Sequence, residues 1–229
     1  MAQTRTAPGA QEFIPPRAKS LTALRTAAAS CEGCDLYADA NQTVFGRGAA
    51  SARVVMVGEQ PGDVEDREGL PFVGPAGRVL RRAVDDAGLD PGQLYLTNAV
   101  KHFRHTMRGK RRLHQTPDQV HIVACRPWLV AEFAVLHPEV VVVLGAIAAK
   151  SLLGPAFRVT RDRGVLLPWP ESAQHPEDFT RPSTTANGQV EPTRLLATIH
   201  PSAVLRSDNR EDAYAGLVAD LTVAAGALA

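Results

Sequence analysis

Four short apolar runs rich in β-branched residues recur along the chain, and each is followed by a glycine or a polar residue. The runs are residues 53–57, 94–97, 140–144 and 195–199. Continuous apolar runs of this length are typical of strands buried on both faces of a sheet. Helical patterns lie between and around them, at residues 21–29, 76–87, 116–136, 146–153 and 212–228. The alternation predicts a three-layer α/β/α fold with a central, mostly parallel four-stranded sheet.

Three segments lack a clear period, and we expect them to lack regular structure. Residues 1–18 are predicted to be a flexible N-terminal segment that precedes a single domain of residues 19–229. Residues 102–115 are rich in Arg, Lys and His, which predicts a loop that is long for a compact domain. Residues 154–190 are predicted to hold an irregular strand and a surface loop around residues 174–188.

The composition fits one medium-sized domain. With 229 residues and 45% apolar content, the chain can bury a full hydrophobic core. No apolar run is long enough to span a bilayer and the N-terminus lacks the order of a signal peptide, so we expect a cytoplasmic protein with no membrane partner. The net charge of +1 conceals an acidic stretch at residues 63–68 and a basic one at residues 104–112.

The three cysteines indicate a metal site rather than a disulfide framework, which needs paired cysteines and an oxidising compartment. Cys31 and Cys34 form a CxxC pair in which Gly33 permits a sharp turn. Cys125 lies on the predicted helix of residues 116–136. The alternative is that the CxxC pair is two unrelated thiols.

Polar residues stand where three of the predicted strands end. Glu59 and Gln60 follow the first strand, Asn98 the second and His200 the fourth. In open α/β sheets, ligands bind at the carboxyl ends of the strands. Taken singly, Asn98 fits a cap and His200 fits a loop histidine with an internal partner. Their coincidence at one edge predicts a ligand pocket.

These side chains suit a uracil ring and its sugar. An Asn offers a donor and an acceptor side by side, which matches a carbonyl and an adjacent ring N–H of uracil but not the pattern of cytosine. A His N–H directed at a second carbonyl would stabilise charge on a departing base, and Phe72 can stack on the ring. Glu59 can support the positive sugar that forms when a glycosidic bond breaks. Such a pocket reaches only a base flipped out of the duplex.

The chain resembles the uracil-DNA glycosylase superfamily, and within it the iron–sulfur family 4 branch, over nearly its whole length after residue 30. Four motifs carry the resemblance: residues 58–62, 69–77, 97–101 and 200–202. The resemblance implies a uracil-DNA glycosylase-like fold that acts in DNA repair on uracil-containing DNA. It also implies a pocket with uracil bound by Gly58, Phe72, Asn98 and His200, and with Glu59 and Gln60 on the sugar side.

A basic insert separates this chain from ordinary family 4 members. Residues 109–114, Gly-Lys-Arg-Arg-Leu-His, are similar to the signature of the UdgX subgroup. That resemblance implies that His114 attacks C1′ of the sugar and stays bonded to it, so that the enzyme acts once. A neutral imidazole is a good nucleophile, and a carboxylate that accepts its other N–H would hold the reactive tautomer. Glu59 is the candidate for that carboxylate.

On the residues alone, the insert has a second interpretation as a basic patch with a spectator histidine, because Lys and Arg close to DNA usually neutralise phosphate. The expected DNA contacts, including contacts to single-stranded DNA, are Lys110, Arg111, Arg112 and Ser202. Two other functions stay open. One is a turnover glycosylase in which Glu59 or Gln60 positions water, and the other is a non-enzymatic uracil-DNA binding protein.

The family 4 resemblance also implies a [4Fe–4S] cluster, although the fourth cysteine of that family is missing here. The ligands expected on this basis are Cys31, Cys34, Cys125 and, at the fourth position, His102. Imidazole can replace thiolate on cluster iron. His105 and His121 are rivals of His102, and a three-ligand cluster or a zinc ion is the alternative. We expect a monomer, because no coiled-coil pattern is present.

Overall fold

The computed structural model describes residues 9–16, 18–154, 156–169, 183–184 and 190–228. Most of the surface loop predicted around residues 174–188 therefore lies outside the described residues. The described part of residues 154–190 contains a one-turn helix at Val159–Asp162 and short strands at Leu166–Pro168 and Ser183–Thr184.

The strands build one large sheet and two small ribbons. In chain order they are β1 (Arg47–Gly48), β2 (Val54–Gly58), β3 (Leu94–Asn98), β4 (His105–Arg108), β5 (Arg111–His114), β6 (Val140–Leu144), β7 (Leu166–Pro168), β8 (Ser183–Thr184), β9 (Val190–Glu191) and β10 (Arg194–Thr198). Within the described residues, the large sheet has the order β1-β3-β2-β6-β10-β7. Its four central strands are parallel, as predicted, and the edge strands β1 and β7 are antiparallel. The edge strands have two and three residues, too few to leave a period-2 signal in the sequence.

Helices cover both faces of this sheet, which confirms the three-layer prediction. In the described residues they are α1 (Leu21–Ala28), α2 (Asp63–Glu68), α3 (Pro75–Asp86), α4 (Gln119–Leu136), α5 (Ala146–Leu153), α6 (Val159–Asp162), α7 (Pro201–Arg206) and α8 (Arg210–Gly226). Successive strand residues point to opposite faces, so Val55 packs with α4 and α5 while Met56 packs with α3 and α8. All five residues of β2 are buried.

The strand order places a crevice at the carboxyl edge of the sheet. From β2 the chain reaches β3 through α3 on one face, and then returns to β6 through α4 on the other face. The strand order therefore reverses between β2 and β6, which is where open α/β sheets bind ligands. Gly58 and Asn98 lie opposite each other at this edge, and Gly145 N–H bonds the carbonyl of Thr198 at 2.9 Å.

The core helix α4 differs from one expectation. By length and composition alone it could cross a membrane, with 18 residues and a mean hydropathy of 1.2, whereas the sequence was expected to hold no such run. Half of the helix is buried within the fold, where Trp128 and Phe133 pack in the core and Glu132 forms an ion pair. A mostly apolar helix of this kind is also typical of the core of a folded domain.

Residues 105–114 form a β-hairpin within residues 102–115, where the sequence predicted a loop. Strands β4 and β5 pair antiparallel, with His105 opposite His114 and Met107 opposite Arg112. The turn contains Gly109 with a φ of 60°, a left-handed conformation that glycine adopts readily. The loop prediction was wrong because the two strands carry mostly polar and charged side chains, so the alternation of a half-buried strand is absent.

Part of the predicted flexible N-terminal segment is ordered against the CxxC turn. Ala10–Phe13 forms a 3₁₀-helix, Ala10 is buried, and Gly9 N–H bonds the carbonyl of Gly33 at 3.0 Å. The segment that was expected to be flexible therefore includes a short helix at residues 10–13. Residues 1–8 and 17 lie outside the described residues.

Candidate active site

A cavity of about 880 Å³ opens at the carboxyl ends of the parallel strands, where the sequence predicted a pocket. Its wall contains Glu59, Gln60, Phe72, Asn98, His114, His200 and Ser202. Apolar side chains, among them Ile147, Val159 and Leu205, complete the wall. An apolar concavity with a few convergent polar groups is typical of a small-ligand site.

Asn98 presents a free amide to this cavity. It ends β3 and is 2% exposed, and no hydrogen bond joins its side chain to another group in the described part of the chain. Gly58 makes room for it, because a Cβ at Gly58 would lie 2.3 Å from Asn98 Oδ1 and 2.7 Å from Phe72 Cζ. The amide donor and acceptor of Asn98 therefore remain available for a ligand.

Phe72 is held in a backbone conformation that few non-glycine residues adopt. Its φ is 55°, and its carbonyl accepts a 2.9 Å hydrogen bond from Arg81 Nη1. Gly77 fits closely beneath it, since a Cβ there would lie 1.8 Å from the Phe72 oxygen. The Phe72 ring is centred 6.3 Å from the His200 ring at an angle of 30°. Strained backbone of this kind clusters at ligand sites, where the surrounding contacts fix it.

Hydrogen bonds assign the tautomer of His200. Ser202 N–H donates to His200 Nδ1 at 3.2 Å, and the Ser202 hydroxyl lies 2.7 Å from the same nitrogen. Arg206 Nη1 donates to that hydroxyl at 2.9 Å, so the hydroxyl hydrogen is free to point at Nδ1. Nδ1 is therefore the acceptor, and the neutral ring carries its hydrogen on Nε2. Burial, with smaller contributions from Arg206 and His114, lowers the pKa of His200 to about 4, so the ring is neutral at neutral pH.

Gln60 connects the hairpin to the cavity. Its Oε1 accepts the Arg104 N–H at 3.0 Å, which fixes the orientation of the amide. Its Nε2 then lies 3.2 Å from the Arg104 carbonyl, 3.0 Å from the Gln115 carbonyl and 2.9 Å from His114 Nε2. An amide nitrogen can only donate, so the last contact is a hydrogen bond when His114 Nε2 carries the lone pair. The two amide hydrogens of Gln60 have three acceptors within reach. If His114 moves away, both hydrogens still have the carbonyls of Arg104 and Gln115 as acceptors.

His114 is neutral and partly accessible. Its side chain is 49% exposed, and burial together with the positive charge of Arg206 lowers its pKa. The ring is centred 6.0 Å from the ring of Phe103, which supports it from the hairpin side. A neutral imidazole with an accessible lone pair has the properties of a nucleophile.

Glu59 is a partly buried carboxylate with one buried, unpaired oxygen. Its Oε1 has no hydrogen-bond partner among the described residues, and burial raises the pKa of Glu59 to about 6 against a smaller opposing effect of Arg206. Its Oε1 lies 3.8 Å from His114 Nε2, beyond hydrogen-bond distance. The predicted hydrogen bond between His114 and Glu59, which would hold the tautomer of His114, is therefore not formed. Nε2, the imidazole nitrogen closer to Glu59, is the one expected to react.

Arg112 anchors the hairpin to α2. Its guanidinium lies 2.5 Å from both Asp63 and Asp66, and its side chain is only 11% exposed. In the absence of DNA, the charge of Arg112 is thus neutralised by two carboxylates. Lys110 and Arg111 are exposed at the hairpin turn. The Ser202 hydroxyl bridges His200 and Arg206, and the DNA contacts expected of Arg112 and Ser202 stay predictions.

The three cysteines meet in one buried cluster beside α4. Trp128 Nε1 donates to Cys31 Sγ at 3.2 Å, and Lys101 N–H donates to Cys125 Sγ at 3.2 Å. Burial raises the pKa of Cys34 to about 11 and that of Cys125 to about 12. Two of the sulfurs thus already accept N–H donors, which suits thiolate ligands of an iron–sulfur cluster. Among the described residues, no three His, Cys, Asp or Glu side chains form a group that could hold a single metal ion.

The candidate histidine ligands have different surroundings. His102 is buried, with Nε2 2.9 Å from the Thr43 hydroxyl, and burial lowers its pKa to about 4. His105 stacks on a phenylalanine ring of the hairpin base. His121 accepts an N–H bond from the start of α4 through Nδ1 and has its Nε2 3.0 Å from Asp35. Both ring nitrogens of His121 therefore have partners within the protein.

Comparison with known proteins gives the same family as the motifs. The family described as "Uracil DNA glycosylase superfamily" matches residues 45–222. The chain belongs to this superfamily. Similar proteins include type-4 uracil-DNA glycosylases of Pyrobaculum aerophilum (32% identity, covering 77% of this chain and 80% of the relative) and Thermotoga maritima (30% identity, 79% and 81%). That of Sulfurisphaera tokodaii is 33% identical over 66% of this chain and 67% of the relative.

In this superfamily member, one cavity brings together the predicted catalytic residues and the predicted uracil-binding side chains of Phe72 and Asn98. The residues that hold them in place were not predicted from the sequence. These are Asp63, Asp66, Arg81, Arg104 and Arg206. A signal existed for the two aspartates, because an acidic stretch and a basic stretch of similar length stand about 40 residues apart and can pair. Nothing in the sequence indicates the contact of Arg81 with a backbone carbonyl nine residues earlier.

Proposed function

We propose that this uracil DNA glycosylase superfamily member removes uracil from DNA and then becomes covalently attached through His114 to C1′ of the resulting abasic sugar. The observation that carries the proposal is the position of the His114 ring. Although it belongs to an inserted hairpin, it lies in the wall of the cavity beside Glu59 and His200. The similarity of residues 109–114 to the UdgX signature supports the covalent step, and the type-4 relatives support uracil excision.

Base recognition rests on Asn98, Phe72 and His200. The free amide of Asn98 pairs with one carbonyl and the adjacent ring N–H of uracil. Phe72 stacks on the ring, and His200 Nε2–H points to a second carbonyl, because its Nδ1 is occupied by Ser202. Cytosine presents the opposite donor and acceptor pattern to Asn98, so it would leave buried polar groups unpaired.

Bond cleavage requires charge stabilisation on both fragments. The C1′–N1 bond breaks, and its electron pair leaves with the base, where the N–H of His200 stabilises the negative charge on the carbonyl oxygen. The sugar becomes positive, and the unpaired carboxylate oxygen of Glu59 stabilises it from a buried position.

The covalent step follows from the lone pair on His114 Nε2. That nitrogen exchanges its contact with Gln60 for a bond to C1′, and the ring then loses its Nδ1 proton to solvent. The product is a neutral N-alkylated imidazole, which is a poor leaving group, so the adduct persists and the enzyme acts once.

DNA binding outside the cavity uses the exposed part of the hairpin. Lys110 and Arg111 lie at its turn and are free to neutralise phosphates, including those of a single strand. Arg112 is paired with Asp63 and Asp66, so a phosphate contact would require its guanidinium to share or exchange these partners. Its function is to hold the hairpin that carries His114.

The cofactor proposed for the buried cysteines is a [4Fe–4S] cluster held by Cys31, Cys34, Cys125 and His102. Each iron of such a cluster takes its own protein ligand, so the ligands need not converge on one point as they do around zinc. The Thr43 hydroxyl engages His102 Nε2, which leaves Nδ1 for iron. The cluster would tie the CxxC turn to α4 and stiffen the fold, and no step of the reaction passes through it.

The test is incubation of the full-length protein with a uracil-containing single-stranded oligonucleotide, followed by a denaturing gel. We expect a band shifted by the mass of the protein in wild type, and free abasic DNA without the shifted band in His114→Ser. Free abasic DNA from wild type would favour turnover hydrolysis by water, and unchanged DNA would favour simple binding. A shifted band retained in His114→Ser would contradict the assignment of the nucleophile.

A further inference from the structure

Lys101 and Glu132 form an ion pair that no solvent reaches. The two charged groups are 2.6 Å apart, and both side chains are 0% exposed. Every hydrogen of the ammonium group has an acceptor: the Glu132 carboxylate, the Thr97 hydroxyl at 2.6 Å and the Asn98 carbonyl at 2.9 Å. Replacing a buried ion pair of this kind with apolar side chains is often neutral or stabilising, so stability alone does not account for it.

The contacts of Lys101 concentrate on the strand end that carries Asn98. The ammonium group holds the backbone carbonyl of Asn98 itself. The two N–H groups that follow Asn98 donate to the carbonyls of Gly58 at 2.8 Å and Glu59 at 3.0 Å. The backbone between Asn98 and Lys101 is therefore fixed both to the neighbouring strand and to a buried cation, and these contacts set the position of Asn98 relative to Glu59.

Glu132 joins its end of the pair, on α4, to two other parts of the fold. Its carboxylate accepts hydrogen bonds from the Tyr95 hydroxyl at 2.9 Å, the Thr97 hydroxyl at 3.0 Å and the Gly46 N–H at 3.2 Å. A Cβ at Gly46 would lie 2.5 Å from Glu132 Oε1, so the chain packs directly against the carboxylate. The ammonium group thus has one defined position, set by α4, β3 and the segment before β1.

We propose that the Lys101–Glu132 pair positions Asn98 for uracil recognition, which rests on the proposed function of Asn98. An apolar pair could fill the same space but could not hold the Asn98 carbonyl. The pair is therefore a positioning device whose loss changes selectivity between bases even where the fold is retained. The Lys101 N–H bond to Cys125 extends the same connection to the cysteine cluster.

The test uses the full-length protein and two oligonucleotides, one with 2′-fluorodeoxyuridine and one with 2′-fluorodeoxycytidine. The fluorine disfavours the positive sugar, so the glycosidic bond resists cleavage and the dissociation constant can be measured. Three variants are compared with wild type: Lys101→Met, Glu132→Gln and the double variant Lys101→Met/Glu132→Leu. Melting temperatures are measured on the same samples.

We expect the double variant to melt at a lower temperature than wild type, because the Tyr95 hydroxyl and the Gly46 N–H lose their acceptor. Measured below its melting temperature, it should lose preference for uracil over cytosine by roughly tenfold. Asn98→Ala should lose a similar preference, and adding Lys101→Met to Asn98→Ala should cause no further loss, because both changes remove the same interaction. The control is Arg53→Met/Glu139→Leu, which removes an ion pair at the opposite end of the sheet, with 2.6 Å between its charged groups, and should leave the preference unchanged.

Two results would overturn the inference while leaving the function intact. One is a folded double variant with wild-type preference, and the other is a further loss of preference when Lys101→Met is added to Asn98→Ala. If wild type itself shows no preference for the uracil oligonucleotide, the proposed function fails, and the inference fails with it.

Discussion

Glu59 and His200 face the same cavity, and burial shifts their pKa values in opposite directions. Burial raises the pKa of Glu59 to about 6 and lowers that of His200 to about 4. In both cases the neutral form is favoured, because a low-dielectric site disfavours charge. At neutral pH the two residues therefore combine an ionised carboxylate close to its pKa with a neutral imidazole far from protonation.

This pair of pKa values predicts the pH dependence of excision. The Glu59 carboxylate must be ionised to stabilise the positive sugar, so the single-turnover rate should fall as the pH drops through about 6 and should be level above pH 7. In Glu59→Gln the rate should fall roughly 100-fold and lose this inflection. A wild-type profile that is level from pH 7 to pH 5 would contradict the role of Glu59.

How far the sequence determines the site depends on the residue. Asn98 and His200 were predictable, because each directly follows a buried strand and strand ends converge. The structural role of Gln60 was not, since its partners Arg104 and Gln115 lie 44 and 55 residues away. The sequence shows that Arg112 is charged but does not show which groups neutralise it.

The hairpin of β4 and β5 carries the proposed nucleophile, and its position is set by ion pairs. Arg112 joins it to α2 through Asp63 and Asp66, and Arg104 joins its base to Asp118 at 2.7 Å. Asp66 is fully buried and also accepts the N–H of Asn41. Because a partly buried carboxylate cluster left without its cation is costly, these pairs favour one position of the hairpin.

Neighbouring arginines allow a matched test of this element. In Arg112→Ala we expect the rate of adduct formation to fall about 10- to 100-fold, because His114 is no longer held near C1′, while uracil release continues. In Arg111→Ala we expect normal adduct formation at saturating DNA but weaker DNA binding. The slope of the logarithm of DNA affinity against the logarithm of salt concentration should fall by about one, because one phosphate contact is lost. Equal effects of the two substitutions on adduct formation would contradict the anchoring role of Arg112.

At the scale of elements, the sequence predicted the strands and helices that bury apolar side chains. It did not predict the hairpin, whose strands are mostly polar and whose position depends on polar contacts. The four central strands are continuous apolar runs, so their sheet was predictable. The hairpin strands have no apolar face, and the pairing of His105 with His114 depends on a turn at Gly109. Gly109 is visible in the sequence, but without an apolar face on the flanking strands it does not indicate a hairpin.

At the scale of the whole molecule, the cysteine cluster connects the N-terminal part of the chain to the sheet. Cys31 and Cys34 lie on the CxxC turn, against which Gly9 packs, while Cys125 lies on α4 and contacts the residue that supports Asn98. The cysteine cluster and the cavity are therefore separate, and Lys101 connects them, because its N–H bonds Cys125 and its ammonium group bonds the carbonyl of Asn98. The sequence predicted that the three cysteines belong to one site but not this connection.

The proposed iron–sulfur cluster leads to a prediction for the colour and the stability of the purified protein. We expect a brown protein with iron–sulfur absorbance that is lost in Cys125→Ser and in His102→Ala, and a melting temperature lower by roughly 5 °C or more in both variants. His105→Ala and His121→Ala are the controls and should keep the absorbance. A colourless protein that contains zinc would contradict the cluster.

The most direct test of the account is to locate the bond between protein and DNA. The shifted complex is digested with nuclease and trypsin, and the peptides are sequenced by mass spectrometry. We expect a deoxyribose phosphate on the tryptic peptide that begins at Leu113, with fragment ions that assign the added mass to His114. Added mass on Glu59 or on any other residue, or unmodified peptides throughout, would contradict the central claim.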